Sequence, residues 1–140
     1  MNFEFSSDQI LLKDQARKFL ENEDSVKKAR SVLEGDESHD ESLWKSIIEM
    51  GWTATTIPEK FDGLGLSYLE LCVIAEELGR SLAPTPFSSS VYLATEVILN
   101  HGSKDQQQIY LPKLAIGEVI GTLAHTETTN APTQENINCE

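Results

Sequence analysis

Hydrophobic residues recur at helical spacing along most of the chain, and polar segments separate the repeats. Positions three and four residues apart share one face of an α-helix, so each repeat predicts a helix with one buried side. The clearest apolar stripes are Leu12, Ala16, Phe19 and Leu20; Leu43, Trp44, Ile47 and Ile48; Leu71, Ile74, Ala75 and Leu78; and Val91, Ala94, Thr95 and Ile98. A further helix is expected from Ser103, and a weaker stripe over 26–33 could extend the first one. The pattern predicts an all-α domain of about five helices.

Three capping boxes mark expected helix starts. In this motif a serine oxygen and a Glu or Gln side chain three residues later bond the free amides of the first turn. The boxes are Ser6 with Gln9, Ser67 with Glu70, and Ser103 with Gln106.

Glycine and proline predict where helices stop. A second helix that starts near Asp40 is expected to end at Gly51, and the fourth at Gly102, since glycine accepts the left-handed backbone common after a helix. Gly79 and the Ala83–Pro86 segment are expected to interrupt the chain again. Pro112 is expected to reset the hydrogen bonding at a first-turn position.

Residues Lys60–Ser67 predict a tight loop with positive φ at a glycine, because Asp62-Gly63 and Gly65 fall close together. A phosphate cradle is disfavoured here, since no strand precedes the glycines and no lysine follows them in a helix.

The pattern changes after Gly117. The sequence VIGTLAHT (119–126) is β-branched and predicts an incipient strand, followed by a polar segment to Glu140. A lone strand leaves its backbone groups unpaired. We therefore expect residues 1–120 to form the helical domain and residues 121–140 to be the first strand and loop of a truncated β-domain.

Charge and composition exclude several classes of protein. A net charge of −12 argues against a nucleic-acid surface, and against this segment alone holding a polyanion such as CoA. No apolar run approaches the roughly 18 residues of a membrane span, and no export signal is visible, so a soluble cytoplasmic protein is expected. The two cysteines lack the spacing of a zinc site or disulfide framework.

Several residues with chemical potential are better explained as structural. We expect Trp44 and Trp52 to be core or interface anchors and Cys72 to be a buried, inert thiol. The adjacent pair Glu76-Glu77 is expected on a solvated helix face rather than as a paired acid and base. Ligand spacing is absent from the three histidines, which are His39, His101 and His125, so no metal site is predicted.

Most of the chain from Leu43 onward resembles the N-terminal domain of the acyl-CoA dehydrogenases. The resemblance lies in five segments in family order: LWKSIIEMGW (43–52), IPEKFDGLGLS (57–67), EELGRSLAPTP (76–86), GSKDQQQIYLPKLAIGE (102–118) and HTE (125–127). It implies a flavoprotein of fatty acid metabolism with N-terminal helices, a middle β-domain and a C-terminal helical bundle. Such enzymes bind FAD and oxidise the Cα–Cβ bond of an acyl-CoA. A glutamate removes the α-proton, hydride passes to the flavin, and an electron-transfer flavoprotein takes the electrons.

The resemblance assigns few site residues to this chain. It implies flavin contacts at Leu123 and Thr126. It also implies acyl-chain contacts at four positions near the start of the fourth helix, which are Pro86, Phe87, Ser90 and Ala94. The family's catalytic glutamate falls beyond residue 140, so no catalytic residue is assigned.

One departure from the family follows Glu127. Members usually continue with a proline and a Gly-Ser-Asp turn that approaches the flavin, whereas this chain reads Thr128-Thr129-Asn130-Ala131-Pro132 without a glycine. The usual flavin contacts there are in doubt, which suggests a divergent branch.

Three functional hypotheses remain open from the sequence. The chain is expected to be the N-terminal portion of an acyl-CoA dehydrogenase, inactive alone and a homo- or hetero-oligomer when complete. Alternatively it is a non-catalytic helical subunit that pairs with a chain supplying the β-domain and catalytic base, or a fragment of an acyl-CoA oxidase. Acyl-chain type and electron acceptor cannot be distinguished.

Overall fold

Helices are the only regular secondary structure in the part of the chain that the structure describes. The structure is a computed structural model, and it describes residues 4–124 and Thr126. Within these residues the α-helices are α1 (Ser7–Asn22), α2 (Ser25–Glu34), α3 (Glu41–Glu49), α4 (Tyr68–Arg80), α5 (Glu96–His101) and α6 (Lys104–Ala115). Two 3₁₀ turns, Trp52–Ala54 and Glu59–Phe61, follow α3, and a π-helical stretch, Ser88–Thr95, runs directly into α5. The predicted all-α class is confirmed.

All three predicted capping boxes form. Ser6, Ser67 and Ser103 cap α1, α4 and α6, and in each box the third helical residue bonds back to the cap amide. At α3 the Asp40 carboxylate accepts from the Leu43 amide at 2.7 Å. These starts are local, because both partners lie within three residues of each other.

The number of helices differs from the expectation because Asp24 breaks the first one. Its φ of 50° is left-handed, so the chain turns there and α2 begins as a separate element. Aspartate is among the few residues that accept this backbone at small cost.

Two expected interruptions are wrong. Gly79 lies within α4 and Pro112 lies within α6 rather than at a first-turn position. Buried residues on both sides of Pro112, namely Leu111 and Leu114, anchor α6 across the amide that proline lacks. Packing of these buried side chains outweighs the loss of one helical hydrogen bond there.

Two apolar clusters form the interior. The first joins α1, α3, α4 and the start of the π-helix, and it contains both tryptophans, as predicted. Phe19 meets the Trp52 ring edge to face at 5.3 Å. The second cluster joins α6 to the 3₁₀ turns, and its buried members are Ala54, Ile57, Phe61, Leu111, Leu114 and Ala115.

The loop between the 3₁₀ turns and α4 has the expected tight geometry. Gly65 has a φ of 60°, and Asp62 also adopts the left-handed backbone with a φ of 62°. Gly63 is needed for a different reason, because a Cβ there would stand 1.9 Å from the Ile57 carbonyl oxygen.

The incipient strand is not formed among the described residues of the tail, 118–124 and Thr126, which have no regular secondary structure. No described segment pairs with them, and a strand needs a ladder partner. Val119 packs against the second cluster instead. His125 and the Thr128–Pro132 departure lie outside the described residues.

The expected burial of Cys72 is also wrong. Its thiol is exposed, because the core face of α4 is formed by Leu71, Ile74 and Leu78, and Cys72 points about 100° away from Leu71 around the helix.

Candidate functional site

The π-helix and α5 form one continuous helix from Phe87 to His101, called the rod below. Its first half is irregular. Over Ser88–Thr95 the helix is π-helical, and the Thr95 hydroxyl donates to the Ser90 carbonyl at 2.9 Å. A π-turn leaves some carbonyls without their usual partner, and such turns are frequent at functional sites. The sequence provides no signal for it beyond a run of three serines with modest helix propensity.

Ser90 and Ala94 lie where the tail crosses this rod. Ser90 is only 2% exposed, and its hydroxyl accepts from the Gly121 amide at 3.3 Å. A Cβ added to Gly121 would stand 2.4 Å from the Ala94 Cβ, so the two backbones approach as closely as glycine permits. The structure thus brings two of the four acyl-chain candidates against the segment that holds both flavin candidates.

The flavin candidates themselves remain accessible. Leu123 is 37% exposed and Thr126 is exposed, two and five residues after the contact at Gly121. Both side chains are therefore available to contact a ligand or another part of the protein near the point where the tail crosses the rod.

Phe87 and Pro86 occupy a different environment. Phe87 is buried in the first apolar cluster and meets the Tyr92 ring edge to face at 5.4 Å. Pro86 is half-buried, and its carbonyl accepts from the Ser90 amide and the Ser89 hydroxyl, both at 3.0 Å. The structure does not place Phe87 against the tail beside Ser90 and Ala94.

A cavity of about 280 Å³ opens beside Phe87, between α4 and the rod. Most of its lining is apolar, and Leu78 and Ala83 form part of the wall. Three polar side chains line it, those of Thr85, Ser88 and Tyr92. The Thr85 hydroxyl is buried without a hydrogen-bond partner. Burial raises the pKa of Tyr92 to about 12.

Sequence reasoning missed a contact that ties α4 to the rod. The Tyr68 hydroxyl donates to the Glu96 carboxylate at 2.7 Å, and this hydrogen bond raises the pKa of Tyr68. The second Glu96 oxygen, Oε1, is buried without a partner. Because the two residues are 28 positions apart, no local pattern could have indicated the pair.

The expected solvated face at Glu76-Glu77 is correct for the first residue only. Glu76 is exposed and pairs with Lys13, but Glu77 is 1% exposed. Arg17 from α1 donates to both Glu77 oxygens, at 2.7 and 3.0 Å, and Arg80 donates to one of them at 3.2 Å. The arginine contact holds the pKa of the Glu77 carboxyl below its usual value. With both oxygens bonded, Glu77 is a structural anion rather than a base.

Neither a metal centre nor a membrane span is found in the described part of the chain. Residues 4–124 and Thr126 hold no group of three His, Cys, Asp or Glu placed to bind a metal ion. No helix among them is long and apolar enough to cross a bilayer.

Comparison with known proteins places this arrangement in a family. The model of the acyl-CoA dehydrogenase N-terminal domain matches residues 6–118. The (2S)-methylsuccinyl-CoA dehydrogenase of Cereibacter sphaeroides is 35% identical over 118 residues, which is 84% of this chain and 21% of that protein. The mitochondrial isovaleryl-CoA dehydrogenase of Arabidopsis thaliana is 29% identical over 138 residues, 97% of this chain and 34% of the relative.

A solved structure has the same helical arrangement. The acyl-CoA dehydrogenase of Bacillus anthracis complexed with FAD superposes with a TM-score of 0.78 at 26% identity, covering 91% of this chain and 22% of that one. The chain thus spans about a third or less of the length of each of these three proteins. By its matched segment and its helical fold, the chain belongs to the acyl-CoA dehydrogenase family, in the region of the N-terminal domain.

Proposed function

We propose that this chain supplies the N-terminal helical wall of the flavin and acyl cavity in an FAD-dependent acyl-CoA dehydrogenase. The observation that supports it is the contact between Ser90 and Gly121, which joins the rod to the tail. Two of the four acyl-chain candidates, Ser90 and Ala94, then lie directly beneath the segment that carries both flavin candidates, although the two groups are about thirty residues apart in sequence. The boundary near residue 120 between the helical domain and a β-domain stays a prediction.

The tail suits a flavin contact. Leu123 presents an apolar side chain and Thr126 a hydroxyl, and both are exposed. Their backbone is held by Gly121, which packs against Ala94 too closely to accept a side chain. When bound, FAD would accept the hydride from the substrate, and the role of these residues is to position the ring and exclude water.

An acyl-CoA thioester is the proposed substrate class. The cavity beside Phe87 is mostly apolar and could take the end of an acyl chain. Ser90 and Ala94 then act indirectly, because the tail covers them. We propose an electron-transfer flavoprotein as electron acceptor, as the family resemblance implies.

The chain alone is expected to form no enoyl-CoA when supplied with FAD and acyl-CoAs, because the family's catalytic glutamate is assigned to no residue here. The relative from Arabidopsis is named as mitochondrial, and a cytoplasmic location for this chain stays a prediction.

A domain exchange tests whether this chain can supply the helical wall of a flavin-binding cavity. Residues 6–126 would replace the corresponding segment of the Cereibacter sphaeroides relative, which provides the remaining domains. We expect the chimera to bind FAD and to bleach the flavin when its acyl-CoA is added without oxygen. A folded chimera that cannot bind FAD would contradict the proposal.

Two glycine substitutions in the chimera separate a specific contact from a general loss of stability. Gly121→Ala places a Cβ against Ala94 and should raise the dissociation constant of FAD by about tenfold, the equivalent of a displaced contact worth about 1.4 kcal/mol. Gly79→Ala makes the same change where no atom lies within 4 Å, and it should leave FAD binding unchanged. Equal FAD affinity in the two variants would argue against a role for the tail.

A further inference from the structure

Small residues of α4 keep the cavity between α4 and the rod open. Ala75 and Gly79 are four positions apart on one face of α4, and both line the cavity. A Cβ added to Gly79 would have no atom within 4 Å, so the space beside it is unfilled. An engineered apolar cavity of about 150 Å³ binds benzene. At about 280 Å³, the present cavity has room for a ring or the end of a chain.

The hydroxyl groups of this cavity lack partners. The Thr85 hydroxyl is buried without a hydrogen bond, and the hydroxyls of Ser88 and Tyr92 form none with a described residue. Thr85 as a whole is half-buried, and its hydroxyl would turn towards a ligand by a change of χ1 rotamer. An unpaired hydroxyl in an apolar setting costs free energy. A ligand that hydrogen bonds to these groups recovers it.

The lining disfavours a charged ligand. None of the described residues that line the cavity is an acid, a lysine, an arginine or a histidine, and its apolar members are Ala75, Leu78, Gly79, Leu82, Ala83 and Phe87. A carboxylate would enter without a counter-charge, in a chain whose net charge is −12. A purely apolar group would leave the hydroxyls unpaired. The cavity therefore suits an apolar group that carries an uncharged oxygen.

We propose that this cavity binds the far end of an acyl chain that carries an uncharged oxygen, as a hydroxyl or ketone group. The inference rests on the proposed function, in which the cavity takes the end of an acyl chain. Phe87 supports the link, because it lines the cavity and is also one of the acyl-chain positions that the family resemblance implies. The Tyr92 phenol donates to the ligand oxygen, and a ligand hydroxyl can also donate to Thr85.

Three ring compounds test the cavity in the full chain, without flavin or CoA. Phenol has a hydroxyl where toluene has a methyl group, and benzoate has a charged carboxylate. In NMR titrations we expect phenol to bind about fivefold more tightly than toluene, the gain from one net hydrogen bond, and benzoate to bind more weakly than either. Equal affinities for phenol and toluene would overturn the proposal. So would a chain that binds neither, or one that binds benzoate as well as phenol.

Substitutions locate the binding. The T85V/Y92F double variant removes two hydroxyls with little change of shape, so it should lose the preference for phenol and keep its affinity for toluene. T56V is the matched control, because the Thr56 hydroxyl is also buried and unpaired but does not line the cavity. G79L fills the cavity and should abolish the binding of both compounds, with circular dichroism as the check that it folds. A preference that persists in the double variant, or that T56V removes equally, would overturn the proposal.

The chimera separates this inference from the proposed function. An acyl-CoA with a ketone near the end of its chain should bleach the flavin at about fivefold lower concentration than the alkyl acyl-CoA of the same length. A chimera that binds FAD but shows no such preference overturns this inference and leaves the proposed function standing. A chimera that cannot bind FAD contradicts the proposed function, and the inference, which rests on it, falls too even if phenol binds the full chain.

Discussion

Glu77 shows how one side chain can join two distant helices. It lies on α4, and Arg17 of α1 donates to both of its carboxylate oxygens. Arg80 of α4 donates to one of the same oxygens and also pairs with Glu21 of α1. A buried carboxylate is stable only when charged donors replace its lost water. The pair therefore fixes how α1 lies along α4.

The first prediction concerns the removal of this charge. E77Q should lower the free energy of unfolding by about 2 kcal/mol, because it weakens the three charge-assisted hydrogen bonds that Arg17 and Arg80 donate to this buried carboxylate. The partly exposed arginines can regain water, which keeps the loss below that of a fully buried pair. Urea unfolding measures the change. E76Q is the matched control at the neighbouring exposed carboxylate, and its effect should stay under about 1 kcal/mol.

The pH dependence of stability should report on the same carboxyl. The Arg17 hydrogen bond lowers the pKa of Glu77 in the folded protein, whereas the unfolded value is about 4.3. The stabilisation is therefore complete above the unfolded pKa and is lost as pH falls through the folded one. We expect the difference in stability between wild type and E77Q to narrow as the pH is lowered from about 5 to below 4. Parallel pH curves for the two proteins would show that Glu77 does not titrate as described.

At the scale of elements, helix starts and loop geometry depend on a few local positions. The capping boxes operate within three residues, and the loop before α4 needs Gly63 because the Ile57 carbonyl leaves no space for a side chain. Gly79 differs, because it lies inside α4 and a Cβ added there would have no atom within 4 Å. The same substitution should therefore have opposite signs at these two positions.

Gly63→Ala should destabilise the protein by about 3 kcal/mol, because its Cβ collides with backbone that cannot rotate away. Gly79→Ala should stabilise it by about 0.5–1 kcal/mol, since alanine loses less backbone entropy in a helix. Thermal and urea unfolding of both variants measure the effects. Two changes of the same sign would show that the loop or the helix end differs from the structure.

At the scale of the whole molecule, the net charge of −12 acts against compaction. The acidic side chains repel one another, while the exposed ion pairs add little in return. Added salt screens both the repulsion between acidic side chains and the attraction within the exposed ion pairs. At this net charge the repulsion is the larger of the two. Salt should therefore stabilise the folded protein.

Raising the NaCl concentration from about 10 mM to about 500 mM should raise the melting temperature of dilute protein by about 4 °C, the shift expected for roughly 1 kcal/mol. In a variant that neutralises Asp36 and Glu37, both exposed in the loop after α2, the same salt should raise the melting temperature by less. An identical gain in the two proteins would point to a salt effect other than screened repulsion.

Local patterns determined the helical class, most helix starts and much of the core. The apolar stripes predicted Ala16, Leu43 and Ile47, all fully buried, and the three serine caps bond as expected. These features depend on interactions between residues within one or two helical turns of each other, so the local sequence is enough to predict them. The predicted residues of the flavin and acyl site came from resemblance to a family, and their contacts with ligands stay predictions.

Tertiary structure decided what depends on distant partners. Glu77 is buried because Arg17, sixty positions earlier, neutralises it, and Pro112 stays in a helix because its neighbours are packed. Residues 119–126 have strand composition, yet no described segment offers them a ladder. Gly121 lies instead against Ser90, a contact that no local spacing predicts. Composition sets what a segment can form, and the groups that the fold brings beside it determine which of those states has the lower free energy.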